Sequence, residues 1–224
     1  MFVTPVTNLL SVAGFRHGSE AQGRPNQVQI KPGRDGVPYY LRLTIAHHEA
    51  FPGHYVQEHH QDQLTDLPEF RQKGGFRAYT ESWALYAEQL SYDIGLFETA
   101  DPLHRLGFVE SKLWRSTHAL ADVCLNGMGW TVDQAVALLT ETLDLSSLDA
   151  QTRVTRMIED PGAATASYTG YLYLIRFRDE AMEALGDSFE WASFHDVILE
   201  TGPAPMEILA TVVSDYIDHQ LGRQ

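Results

Sequence analysis

Two stretches of this chain hold residue types that can do metal chemistry. The first, His47-His48-Glu49-Ala50-Phe51-Pro52-Gly53-His54, gathers imidazoles and one carboxylate in a single short segment. The second, Thr80-Glu81-Ser82-Trp83-Ala84-Leu85-Tyr86-Ala87-Glu88, adds two carboxylates about thirty residues later. A histidine–glutamate pair on one helix, completed by a glutamate from a later helix, is a common way to build a zinc hydrolase site. Such a site needs neutral imidazole nitrogens and carboxylate oxygens that converge tetrahedrally, with one position left for water. Bound Zn2+ lowers the pKa of that water toward roughly 7. A carboxylate that is not itself a ligand can then take the proton and deliver it to a leaving amine. On this reading His48 and His54 are ligands, Glu81 is the third ligand from the later helix, and Glu49 is the base.

The spacing raises a difficulty. The common zinc helix places its histidines four residues apart on one face. Here they are six apart, which on a regular helix turns them about 120° away from each other. Pro52-Gly53 lies between them, and a proline inside a helix clashes with the carbonyl four residues back. The pair is therefore either the device that brings His54 round to His48 or a sign that no site exists. Glu81 and Glu88 are seven apart, two turns of one helix, and so share a face. Beside Trp83, Ala84, Leu85 and Ala87 they would be poorly solvated without a metal or a histidine as partner. The alternative is a solvated acidic stripe.

These residues need positioning elements. Residues 1–39 read as an irregular N-terminal segment punctuated by glycine and proline, with one short strand at Gln27-Val28-Gln29-Ile30-Lys31, where polar and apolar residues alternate. Residues 40–224 read as helical throughout. Helices are expected near 68–98 (ended by Gly95), 102–126, after the capping box Thr131-Val132-Asp133-Gln134, and near 148–159, 163–186, 190–200 and 204–222. The fold class is thus mainly α with a small β element near the front. Arg71, Lys73 and Arg77 are expected at a solvated helix end, and Arg176 and Arg178 in salt bridges with Glu180 or Asp179.

Composition narrows the function. The 224 residues are enough for a substantial core, and 44% hydrophobic content is ordinary for a globular protein. The net charge of −14 argues against nucleic acid and anionic membrane surfaces as partners. No apolar run approaches the roughly 20 residues of a membrane span. The lone Cys124 excludes an internal disulfide and is expected as buried packing. Met1-Phe2-Val3-Thr4-Pro5 lacks the marks of a signal peptide, so the default expectation is a cytoplasmic protein.

At the two stretches the sequence resembles the bacterial family catalogued as domain of unknown function 885. The resembling segments are His48-Glu49-Ala50-Phe51-Pro52-Gly53-His54-Tyr55-Val56-Gln57 and Glu81-Ser82-Trp83-Ala84-Leu85-Tyr86-Ala87-Glu88. The likeness continues through Gly129-Trp130-Thr131, Pro161-Gly162, Ser167-Tyr168 and Phe194-His195-Asp196. That family resembles zinc-dependent peptidases of the gluzincin type, which implies a zincin-like helical catalytic domain acting on peptides. Carried over, the resemblance makes His48, His54 and Glu81 the zinc ligands and Glu49 the general base. It places Glu88 behind the ligands, with His47 either there or facing solvent. Tyr168 is the candidate oxyanion donor, with a packed core tyrosine as the alternative. Two positions depart from the pattern: Ser82 stands where the family usually has glycine, and Asn126 where it usually has histidine. Family members are typically far longer, so the resemblance makes this chain look like their C-terminal catalytic part. The partners expected are a peptide substrate and either a missing N-terminal part or a second copy in a homo-oligomer. Two rival functions accompany the peptidase reading: an amide or ester hydrolase of the same architecture, and a degenerate helical protein that binds a peptide or partner without cleaving it.

Overall fold

The computed structural model describes residues 2–5, 13–16, 23, 27–30, 37–73 and 75–223. A three-stranded sheet comes first, made of β1 (Phe2–Pro5), β2 (Ala13–Arg16) and β3 (Gln27–Ile30). The order is β1-β3-β2, with β3 parallel to β1 and antiparallel to β2. The expected strand is β3, at the centre. The other two correct the reading of an otherwise irregular segment. Each is four residues long, with Pro5 in one and Gly14 in the other, too short for alternation to show; pairing with β3 defines them.

The rest is helical: α1 (Arg42–Glu49), α2 (His54–Gln61), α3 (Glu69–Lys73), α4 (Arg77–Asp93), α5 (Leu103–Gly127), α6 (Val132–Leu143), α7 (Ser147–Glu159), α8 (Ala163–Leu185), α9 (Trp191–Thr201) and α10 (Met206–Gln220). The single helix expected near 68–98 is in fact α3 and α4. The chain carries two consecutive glycines, 74 and 75, between them, and glycine costs a helix about 1 kcal/mol per residue. Gly95 ends α4 as expected. It sits at φ +82°, with its N–H bonded to Tyr92 O and that of Leu96 to Ser91 O, which satisfies the last carbonyls of the helix. The capping box before α6 is present: Thr131 Oγ1 accepts from Gln134 N, and Gln134 Oε1 accepts from Thr131 N.

Helix α4 is the axis of the molecule. One side packs on α8, in a core shared with α9 and α10 that includes Tyr79, Trp83, Tyr86, Leu174, Phe177 and Phe194. Its approach to α8 is close because Gly170 has no side chain; a Cβ there would lie 2.1 Å from Ala78 O. Ser82, the departure from glycine, uses that proximity: its Oγ donates to Ser167 O at 2.7 Å. A second cluster, built from Ala121, Ala135, Leu139, Ala150, Val154 and Met157, joins α5 to α6 and α7. Cys124 is buried beside it, with its thiol toward Met128. Arg71 is not merely solvated: it donates to Thr201 O and Pro203 O and so ties α3 to the end of α9. Arg176–Glu180 and Arg178–Asp179 pair as expected.

Candidate metal centre

The first motif is not one helix. Helix α1 stops at Glu49, a turn runs from Ala50 to Gly53 with a cis Phe51–Pro52 peptide, and α2 starts at His54. His48 and His54 therefore sit on two helices, and the angular objection from a continuous helix does not apply. Several contacts hold the turn. Ala50 N–H bonds back to Ala46 O at 2.9 Å, and the N–H groups of Val56 and Gln57 both reach Gly53 O. The Trp83 indole, from the second motif, donates to Pro52 O at 2.9 Å. Gly53 presses against the end of α1 so closely that a Cβ would fall 1.8 Å from His48 O. Only glycine fits there.

The result is a convergence. One ligand atom each from His48, His54 and Glu81 lie within 4.8 Å of one another, and the two imidazole rings meet edge to face with centroids 5.0 Å apart. His48 and His54 are buried, and Glu81 is partly so. A tetrahedral zinc with ligands at roughly 2.1 Å needs donors about 3.4 Å apart. Small side-chain rotations would close the trio onto an ion. The donor set, two imidazoles and one carboxylate, is that of open catalytic zinc sites.

Glu88 lies behind the trio. Its Oε1 is 2.7 Å from His48 Nδ1, and its Oε2 accepts from Ser111 Oγ at 2.8 Å. Burial alone would raise the pKa of this carboxylate, but the hydrogen bond and charge of His48, with Arg115 and Ser111, outweigh that and lower it. Ionised Glu88 makes Nδ1 of His48 the donor and leaves Nε2 as the free lone pair, the arrangement that fixes a metal-binding tautomer. For Glu81, burial is likewise outweighed by His54, His48 and Arg115, and its pKa is lowered. His54 is pushed down to about 4, first by burial and then by the neighbouring His48. His54 is thus held neutral and Glu81 ionised at neutral pH, the forms in which each can bind a metal.

Glu49 differs. Its pKa is raised, chiefly by burial. The residue is 7% exposed, and its Oε2 has no hydrogen-bond partner among the described residues. It is not one of the converging three; it is a buried, poorly solvated carboxylate next to His48 in the chain. His47 does not join the trio: its Nδ1 bonds Phe51 O at 2.9 Å and its ring packs on Phe97, so it braces the turn. Tyr168, on α8, lines a small cleft together with Glu88, Arg115, Lys112 and Tyr171. Asn126 is engaged elsewhere. Its Nδ2 donates to Asp122 O, Asp122 Oδ1 and Met157 O, while Asp122 accepts from Gly162 N and Thr165 N at the start of α8.

Two contributors carried no usable sequence signal. Ser111 and Arg115 lie four apart on α5, far along the chain from either motif. Serine and arginine within an amphipathic helix read as ordinary surface until the fold sets that face against Glu88.

A mainly helical protein whose central helix and a broken helical pair enclose a buried His-His-Glu trio is the class that fold and site define. The chain belongs to the family described as "Bacterial protein of unknown function (DUF885)", whose model matches residues 8–213. Among solved structures it is similar to "the putative lipoprotein from Colwellia psychrerythraea", with TM-score 0.89 and 29% identity over 98% of this chain. It is also similar in fold to "a putative lipoprotein of unknown function from Shewanella oneidensis", with TM-score 0.78 and 21% identity over 95%. The chain spans 38% and 40% of those two chains. Among curated proteins none matches.

Proposed function

We propose that this protein is a zincin-like metallohydrolase that cleaves peptide bonds with Glu49 as general base. The observation that carries this reading is the convergence of His48, His54 and Glu81 within 4.8 Å. His48, His54 and Glu81 would hold a zinc ion, with Glu88 fixing the tautomer of His48. When bound, zinc supplies a Lewis acid that polarises a carbonyl and acidifies water at its open position. Glu49 accepts the proton from the attacking water and returns it to the leaving nitrogen; a carboxyl of raised pKa suits both halves of that task. Tyr168 is the candidate hydrogen-bond donor to the developing oxyanion.

The description of the Colwellia relative supports placing the protein at the cell envelope rather than in the cytoplasm. Among the described residues no helix is long and apolar enough to cross a membrane.

Glu49→Gln separates this reading from a non-cleaving binding protein. Zinc should stay bound, by elemental analysis, while peptide hydrolysis falls by about 10²–10⁴-fold. Equal turnover in both proteins would remove Glu49 from the mechanism. Bound zinc without turnover in the wild type would favour the binding protein.

A further inference from the structure

Among the described residues, the guanidinium of Arg115 is a cation set beside the carboxylates of this centre that no other group has claimed. It lies half-buried on α5, and its charge acts on Glu49, His54, Glu81 and Glu88. Yet among the described residues it makes no hydrogen bond and no ion pair. Its natural partner would be Glu88, but both oxygens of Glu88 are engaged, one by His48 and the other by Ser111. Ser111 and Arg115 are four residues apart, hence on one face of α5. Holding Ser111 against Glu88 therefore sets Arg115 one turn further along, in the cleft it shares with Tyr168 and Tyr171. The other cation in that cleft, Lys112, is committed: its Nζ donates to Gln89 Oε1 at 2.6 Å.

An unclaimed guanidinium on a half-buried residue is a ready receptor for a planar anion, which it can grip through two parallel N–H bonds. We infer that Arg115 binds a carboxylate of the substrate, close to the bond that is cleaved, and so selects peptides that carry a negative charge there. This rests on the peptidase reading for the nature of the substrate, but the binding step does not depend on turnover. The carboxylate comes from a free C-terminus or from an acidic side chain. Arg115 is then a specificity residue, and the net negative surface of the protein does not repel such substrates locally.

The test uses zinc-loaded protein and four matched peptides, with a free or amidated C-terminus and with an acidic or neutral residue beside the scissile bond. The ratio kcat/KM is measured for wild type, Arg115→Gln and Arg115→Lys. In parallel, calorimetry measures binding of the same peptides to the Glu49→Gln protein with and without Arg115→Gln. The wild type should favour one carboxylate-bearing pair at least tenfold, and which pair identifies the source. Arg115→Gln should erase that preference, with a loss at least tenfold larger for the charged peptides than for their neutral partners. Arg115→Lys should restore part of it. An equal loss for all four peptides would make Arg115 a prop for the acidic cluster and overturn the inference, as would a preference unchanged by Arg115→Gln. Carboxylate-selective binding without any turnover would sink the hydrolase reading and leave this one standing. Absence of selective binding would overturn this one, whatever the turnover.

Discussion

The turn between α1 and α2 and the body of α4 serve the same centre by opposite means. Helix α4 is regular. Its two glutamates are two turns apart, about 10 Å along the axis, and His48 bridges that distance by meeting Glu81 in the trio and Glu88 through Nδ1. Nothing on α4 departs from ideal geometry to achieve this. The turn achieves its part by departing from it: the helix stops after one histidine and restarts at the next, with Gly53 wedged against His48 O. Periodicity alone positions the α4 carboxylates, whereas the α1–α2 turn depends on contacts from elsewhere, above all the Trp83 indole on Pro52 O. A regular helix should tolerate loss of one functional group, and a wedged turn should not tolerate one added atom.

That contrast can be broken first at Gly53. In Gly53→Ala the added methyl meets His48 O and His47 O, both backbone atoms that cannot step aside. We expect a loss of roughly 3 kcal/mol, the upper end for overpacking, and failure to bind zinc. Chemical denaturation and a zinc titration would show both, and wild-type behaviour would mean the turn is not as tight as described. On the helix side, Glu88→Ala should leave the fold in place but weaken zinc binding by about 10–100-fold, the usual cost of removing a ligand's hydrogen-bonding carboxylate. An unchanged zinc affinity in competition with a chelator would detach Glu88 from the site.

Acid should act on the turn side before it acts on the helix side. Buried His54, with His118 and His195 elsewhere, has a folded pKa pushed down to about 4. Unfolded histidine titrates near 6.5, so between those values the unfolded chain binds more protons. Stability of the metal-free protein should therefore fall as pH drops from roughly 6.5 to 4. Glu81 and Glu88, whose pKa values are lowered, add their own loss only below the ordinary glutamate range. Thermal melts across that range would show the two phases, and a midpoint flat between pH 6.5 and 5 would refute the first. The smallest effect is expected at Glu49, whose raised pKa runs the other way: its ionised form costs stability above the ordinary glutamate pKa. At neutral pH the metal-free Glu49→Gln protein should be more stable than wild type by on the order of 1 kcal/mol, the usual size of a function-for-stability exchange.

Much of this was open to reading in the chain itself. Glu81 and Glu88 were assignable to one face because seven residues are two helical turns. The capping box at Thr131 and the stop at Gly95 were legible because both act within a few residues. The division of 68–98 into two helices was missed although Gly74-Gly75 stood in plain view, since the apolar face of α4 dominated the pattern. Strands β1 and β2 were missed for a different reason: a four-residue strand is defined by its partner. Asn126 could be read only as a departure from the family's usual histidine, and only the fold shows its amide joined to Asp122 and Met157.

What the sequence by itself determined was the inventory: two imidazoles, a neighbouring carboxylate, two glutamates in phase on one helix, and a proline and glycine that forbid a continuous helix between the histidines. Those follow from bonds and periodicities only a few residues long. The tertiary structure alone decided that the broken helix folds back onto α4, that Trp83 secures the turn, and that Ser111 engages Glu88 while Arg115 has no hydrogen-bond partner among the described residues. The Trp83–Pro52 and Ser111–Glu88 contacts join residues 31 and 23 positions apart. Such contacts depend on where whole helices pack, and no local pattern encodes that.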